Sequence, residues 1–212
     1  MTNDLGDIKA FVRDGYDRVS HAYRGDVHDD PRSGYAHWLR KLTPRLADGA
    51  RVLDLGCGNG VPVSRELAKR FRVTGVDLSP VMIERARALV PDATFECADM
   101  ASVEFADGAF EAVVAFFSIF HLPLEEQPGT IERVARWLTP GGWFFAIVGK
   151  YAWTGTERNW QGVPGATMWW SHADIATYRG WFERANFEIA EEGSQPEKGA
   201  PGFSVLLARK RA

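Results

Sequence analysis

Residues 52–62 read VLDLGCGNGVP. Apolar residues lead into Asp54, and glycine then recurs at every second position, as Gly56, Gly58 and Gly60. This is the composition of a strand running into a helix, because glycine lets the backbone turn tightly and lets a ligand come close to the chain. Pro62 suits the first turn of the helix that follows, where a missing N–H costs nothing. The dinucleotide fingerprint needs a small residue at the sixth place for close helix–strand packing. That place holds Val61 counted from Gly56, or Val63 counted from Gly58, so the match fails either way. A phosphate loop would require Gly-Lys-Ser/Thr, which does not follow. On spacing alone, a glycine turn with no ligand stays open.

Outward from this stretch the rhythm is strand, helix, strand. RVLDLG, RVTGVD, TFECAD, FEAVVAFFSIF and GWFFAIVG are short apolar or β-branched runs. Helix-like stretches 64–71, 80–89 and 125–138 separate most of them, and the third gap reads as a loop. Alternation of this kind predicts parallel strands joined by right-handed crossovers. The near-continuous apolar strands predict that both sheet faces are covered. Upstream, Phe11, Val12, Tyr16, Val19 and Tyr23 recur at helical spacing, as do Trp38, Leu39, Leu42 and Leu46. The turn-rich RGDVHDDPRSG lies between the two sets. Downstream, residues 151–182 hold five of the eight tryptophans, with little strand or helix rhythm before His172. A helix near 173–185 and strands near 187–190 and 203–209 close the chain. The predicted fold is a doubly wound α/β sheet with two extra helices in front. It forms one domain over 1–212: a helical cover (1–47), a core (48–150), an aromatic lid with a helix (151–182) and terminal strands (183–212).

Composition narrows the function. With 212 residues, 45% hydrophobic, 25% charged and a net charge of −3, the chain reads as a soluble globular protein with no overall field for nucleic acid or an anionic membrane. The longest apolar run is too short to span a bilayer. The start, MTNDLGDIKAF, does not resemble a signal peptide. Cys57 and Cys97 make neither a disulfide framework nor a zinc spacing, so no metal is expected and a reducing cytoplasmic setting is the default. Monomer and homodimer are both open.

Two further acids fall at strand ends. Asp77 closes RVTGVD, 21 residues after Gly56, where a carboxylate can accept from ribose hydroxyls. Asp99 closes TFECAD and can accept from an adenine amino group, with the Met100 N–H beside it. Either acid alone could instead cap a helix. Three strand ends on one edge, each with chemistry suited to a ligand, favour a shared crevice at the carboxyl ends of the strands.

Taken in order, VLDLGCGNG, GVDLSPVMIERAR, ADM, FEAVVAFFSIFHLP and LTPGGWFFAIV resemble the successive motifs of class I S-adenosylmethionine-dependent methyltransferases. The resemblance implies the sheet order 3-2-1-4-5-7-6 with strand 7 antiparallel, a place that FSVLLARK fits. It implies S-adenosyl-L-methionine as cofactor and S-adenosyl-L-homocysteine as product. Asp54 would order the loop, and the backbone of Gly56, Cys57 and Gly58 would face the methionine part. Asp77 would take the ribose, Leu78 and Met82 would flank the adenine, and Asp99 with Met100 would read its edge. Phe116 or Phe117 would sit by the cofactor. GYDRVSHAYRGD resembles a covering helix of the family, so Tyr16 and Tyr23 would cover the sulfonium and Arg24 would meet the cofactor carboxylate. Packing of these aromatics on the core is the alternative.

Methyl transfer by in-line displacement needs positioning and exclusion of water rather than a protein nucleophile. His121, just past the fourth strand, is the first candidate base, or else it caps the turn. His172 is the second, unless Ser171 or His172 simply starts the next helix. Phe120, Trp153, Trp160, Trp169 and Trp170 are the candidate acceptor contacts, for an aromatic, hydrophobic or amine-bearing small molecule. Alternatively, the tryptophans form a satellite core. Sparse basic residues around them, and the absence of NPPY or DPPY, argue against nucleic acid. The expected activity is methyl transfer to an O or N atom. The competing readings are transfer to a thiol or peptide, a non-catalytic binder of the cofactor, and a nucleotide-dependent oxidoreductase.

Overall fold

A computed structural model describes residues 5–27, 34–197 and 200–212. The central sheet has seven strands in the order β3-β2-β1-β4-β5-β9-β8. These are β1 (Arg51–Leu55), β2 (Arg72–Asp77), β3 (Thr94–Cys97), β4 (Phe110–Phe116), β5 (Leu138–Gly149), β8 (Phe187–Glu197) and β9 (Ala200–Lys210). The first five run parallel. β9 is antiparallel to β5, and β8 to β9. The order is the one the motif series implies once β6 (Trp153–Arg158) and β7 (Thr167–His172) are set aside as a separate ribbon.

Strand alternation divides the core. Leu53, Leu55, Val113 and Ala115 pack under Ile131 and Val134 of α5 (Gln127–Trp137) and Phe182 of α6 (Ile175–Arg184). Val52, Ala112 and Val114 face Leu39 and Leu42 of α2 (Gly34–Leu42) and Leu67 of α3 (Val63–Ala68). Asp54 shares parity with Val52, so its carboxylate lands on the α3 side of the sheet. α4 (Pro80–Leu89) packs on β2 and β3. Its N-cap is Ser79, which accepts the Met82 N–H, so the cap is not Asp77.

α1 (Leu5–Tyr23) lies across α4 and the ribbon. Val12 and Val19 are buried, whereas Phe11 is 40% exposed and off the buried stripe. Gly15 is required where helix and ribbon meet, because a Cβ there would fall 2.8 Å from the Thr167 carbonyl oxygen. The turn-rich stretch after α1 falls partly on residues 28–33, outside the described residues.

Residues 151–172 differ from expectation. Instead of an irregular lid they form an antiparallel ribbon, β6 (Trp153–Arg158) with β7 (Thr167–His172). Its period-two signal is hidden because large aromatics stand on both faces of β7. Its turn uses left-handed Asn159 and Gln161 rather than an Asn-Gly pair. His172 therefore ends a strand and does not open a helix. Asp174 caps α6 by accepting the Thr177 N–H at 2.8 Å.

Candidate active site

The elbow after β1 is fixed by the loop after β4. Gly56 and Cys57 both donate their N–H to the Val76 carbonyl, at 2.8 and 3.0 Å. Ser118 Oγ donates to the Leu55 carbonyl at 2.6 Å. Gly56 sits at φ 82° with the Ser118 side chain pressed where a Cβ would be. Asp54 is 2% exposed and takes the Ser64 hydroxyl at 2.6 Å. Burial raises its carboxyl to about 7, against the Ser64 hydrogen bond. Asp54 thus ties the end of β1 to α3.

One cavity opens above the carboxyl ends of β1, β2, β3 and β4. Gly56, Cys57, Gly58, Asp77, Leu78, Asp99, Met100, Phe116 and Phe117 all line it. At Gly58, φ is 55° and a Cβ would meet no protein atom within 4 Å. Asp77 accepts the Gly58 N–H at 2.8 Å through Oδ2 and the Ser79 N–H at 2.9 Å through Oδ1. Burial raises its pKa in spite of those bonds. Asp99 stands on the same rim. Its Oδ1 accepts the Ala101 N–H at 2.8 Å, and Lys9 lies against its Oδ2. Phe117 is held at φ 59°, an uncommon left-handed conformation for a bulky residue, where β4 ends beside the cavity.

α1 closes the cavity with Tyr16 and Tyr23, joined by Arg24 just past its end. The Arg24 guanidinium lies 5.2 Å from the Tyr23 ring centre and 4.9 Å from that of Tyr35, and donates to the Tyr35 hydroxyl at 2.7 Å. His121 also lines the cavity, but both its ring nitrogens are engaged within the protein. Nδ1 is 2.9 Å from the Trp169 carbonyl and Nε2 is 2.8 Å from the Tyr16 hydroxyl. The carbonyl can only accept, so Nδ1 carries the proton and Nε2 accepts from Tyr16. Burial lowers the imidazole to about 4. A neutral imidazole with no free lone pair is not placed as a base, which corrects the first expectation for His121.

Other expected contacts fall elsewhere. Met82 is fully buried in α4, with its sulfur 3.3 Å from Ser20 Oγ, and does not line the cavity. Trp160 is 3% exposed and packs against Tyr16 and Tyr23 in a satellite core with Val12, Val19 and Met168. Trp170 packs on Phe120 and His121, and Trp169 joins the satellite core. Trp153 is 49% exposed beside His172, whose Nδ1 bonds the Tyr151 carbonyl. None of Phe120, Trp153, Trp160, Trp169, Trp170 and His172 lines the cavity. The aromatic cluster buttresses α1, with its rings turned on one another. Lys9, Tyr35, Asn59 and Ser118 line the cavity and were not singled out in the sequence. Lys9 had a usable signal, since it precedes Val12 and Tyr16 by three and seven residues on the same face of α1.

A seven-stranded sheet in this order, with a glycine elbow and two acids on one rim, defines the class I methyltransferase architecture. Residues 52–142 match the family model described as a methyltransferase domain. The chain belongs to the class I S-adenosylmethionine-dependent methyltransferases, whose cofactor is S-adenosyl-L-methionine. It is 37% identical over 127 residues to a 27-O-demethylrifamycin SV methyltransferase of Amycolatopsis mediterranei, covering 54% of this chain and 46% of that protein. It is 30% identical over 165 residues to a sterol 24-C-methyltransferase of Yarrowia lipolytica, covering 74% and 39%. The crystal structure of a Burkholderia thailandensis 1,6-didemethyltoxoflavin-N1-methyltransferase with S-adenosylhomocysteine superposes with a TM-score of 0.76 at 19% identity, covering 100% of this chain and 92% of that one. That likeness is one of fold. The chain spans half or less of the length of these curated relatives. Their names place the methyl on oxygen in one case and carbon in the other.

The cavity suits the cofactor. The open side of Gly58 is a cradle that a Cβ would fill, and the half-buried carboxylate of Asp77 stands at its edge. No helix among the described residues is long and apolar enough to cross a membrane.

Proposed function

We propose that this chain transfers the methyl group of S-adenosylmethionine to an O or N atom of a small molecule in the cytoplasm. The observation that supports this reading best is the single cavity that joins the elbow, Asp77 and Asp99 beneath α1. The bound sulfonium supplies a methyl group already activated for transfer. The protein's part is to position and to exclude water. Gly56–Gly58 bring backbone alongside the methionine portion. Asp77, preset by two backbone N–H bonds, accepts from the ribose, and Arg24 meets the carboxylate. Tyr16, with its proton committed to His121, offers the cavity an acceptor rather than a donor. His121 is a positioning residue for Tyr16, not a base. The free thiols Cys57 and Cys97 fit a reducing compartment.

With no imidazole lone pair offered to the acceptor, the reaction suits a substrate that arrives with an available electron pair. Amines, heteroaromatic nitrogens and ionised oxygens qualify. The test is a labelled-methyl screen over phenols, carboxylates, amines and thiols. Label is expected on amines or acidic oxygens, and unactivated hydroxyls are expected to stay unlabelled. S-adenosylhomocysteine binding with no label in any class would favour the non-catalytic reading.

A further inference from the structure

α1 brings one lysine into the cavity. Lys9 Nζ lies 2.6 Å from Asp99 Oδ2 and 2.7 Å from Glu126 Oε2, and the three side chains are only 19–22% exposed. Asp99 Oδ1 is already bonded to the Ala101 N–H. An ammonium has three N–H donors; one goes to Asp99, and Glu126 pairs with the same ammonium by charge. Lys9 and Asp99 both face the cavity. The same short stretch of rim therefore offers an acceptor and a donor side by side.

We propose that Lys9 is a base-reading residue, which with Asp99 recognises the six-position edge of the purine in the bound nucleoside and lets the site accept a 6-oxo purine as well as a 6-amino one. This rests on the cavity being the S-adenosylmethionine site. A carboxylate only accepts, so a 6-amino group can donate to Asp99 unaided. A 6-oxo group presents lone pairs to the same carboxylate and is repelled. An adjacent ammonium converts that repulsion into a charge-assisted hydrogen bond. Glu126 pairs with the ammonium as well, so Lys9 stays at the rim whichever base is bound.

Calorimetric titration of the full chain with S-adenosylhomocysteine and with S-inosylhomocysteine tests this. The wild type is expected to bind both, the adenosyl form more tightly. Lys9→Met is expected to raise the adenosyl-to-inosyl affinity ratio roughly 10- to 100-fold, the worth of one hydrogen bond to a charged group. Lys9→Arg should keep the ratio near wild type. Should Lys9→Met fail to fold, Lys9→Gln keeps a neutral donor and is expected to raise the ratio by less. If the substitution weakens both ligands equally, Lys9 only pins α1 and the proposal is overturned. A wild type that binds S-adenosylhomocysteine but rejects the inosyl form as strongly as Lys9→Met does would overturn it too. A wild type that binds neither refutes the cofactor site itself, and the proposal with it.

Discussion

Gly56→Ala is expected to destabilise the protein by at least about 3 kcal/mol, combining backbone strain with overpacking. The added methyl has no room, because an ideal Cβ would stand 2.2 Å from Ser118 Cβ and the residue holds φ 82°. Ser118 cannot withdraw without giving up its 2.6 Å bond to the Leu55 carbonyl. Gly58→Ala should behave differently. It also holds a left-handed φ, 55°, but its Cβ would meet no protein atom within 4 Å. Its cost to stability is expected to be about 1–2 kcal/mol, from conformation alone. Its main effect should fall on S-adenosylhomocysteine affinity, because the methyl projects into the cavity. We expect a loss of about tenfold or more in calorimetry, with urea denaturation reporting stability. If Gly58→Ala binds as the wild type does, the elbow is not a ligand surface.

The second large effect is one of pH. Asp54 is raised from 3.8 to about 7 by burial. The folded state therefore holds the extra proton between those values, and Asp54's contribution to stability is greatest in acid and is lost as pH rises toward 7. His121 is lowered from 6.5 to about 4, also by burial. Its contribution is complete above 6.5 and is lost as pH falls toward 4. The two oppose each other over the same window, with Asp77 on the side of Asp54. Asp54→Asn should leave His121 unopposed by Asp54, costing roughly 3 kcal/mol relative to wild type between pH 7 and pH 4. His121→Gln should do the reverse, gaining roughly 3 kcal/mol relative to wild type over the same fall. Urea midpoints from pH 4 to 7 check both. Three parallel profiles would mean that neither group titrates as its burial requires.

The core was legible because its signals are local. The parallel strands are apolar runs, and the elbow carries glycine where positive φ demands it. Asp77 and Asp99 fall at the carboxyl ends of β2 and β3, so the sheet alone brings them to one rim. The ribbon was not legible, since Trp169 and Trp170 stand next to each other and break the alternation that marks a half-buried strand. The role of His121 was half legible. Its place after β4 follows from the motif order, but its partners come from α1 and β7, 105 and 48 residues away. The tryptophans misled for a related reason. Density of aromatics marks a place that must be buried, and here α1 does the burying. Lys9 was missed because a charged residue in an amphipathic helix reads as its wet face. Its spacing to Val12 and Tyr16 puts it on their face of α1, but only the tertiary position of α1 shows that this part of the face meets the cavity.

The central claim is that the rim formed by the elbow, Asp77 and Asp99 binds an adenosyl group bearing sulfur, and calorimetry on the intact chain tests it most directly. Saturable one-to-one binding of S-adenosylhomocysteine is expected, with no heat from NAD and a roughly 10- to 100-fold loss of affinity in a folded Asp77→Ala variant. No binding of S-adenosylhomocysteine, equal binding of NAD, or an Asp77→Ala affinity equal to the wild type's would contradict it.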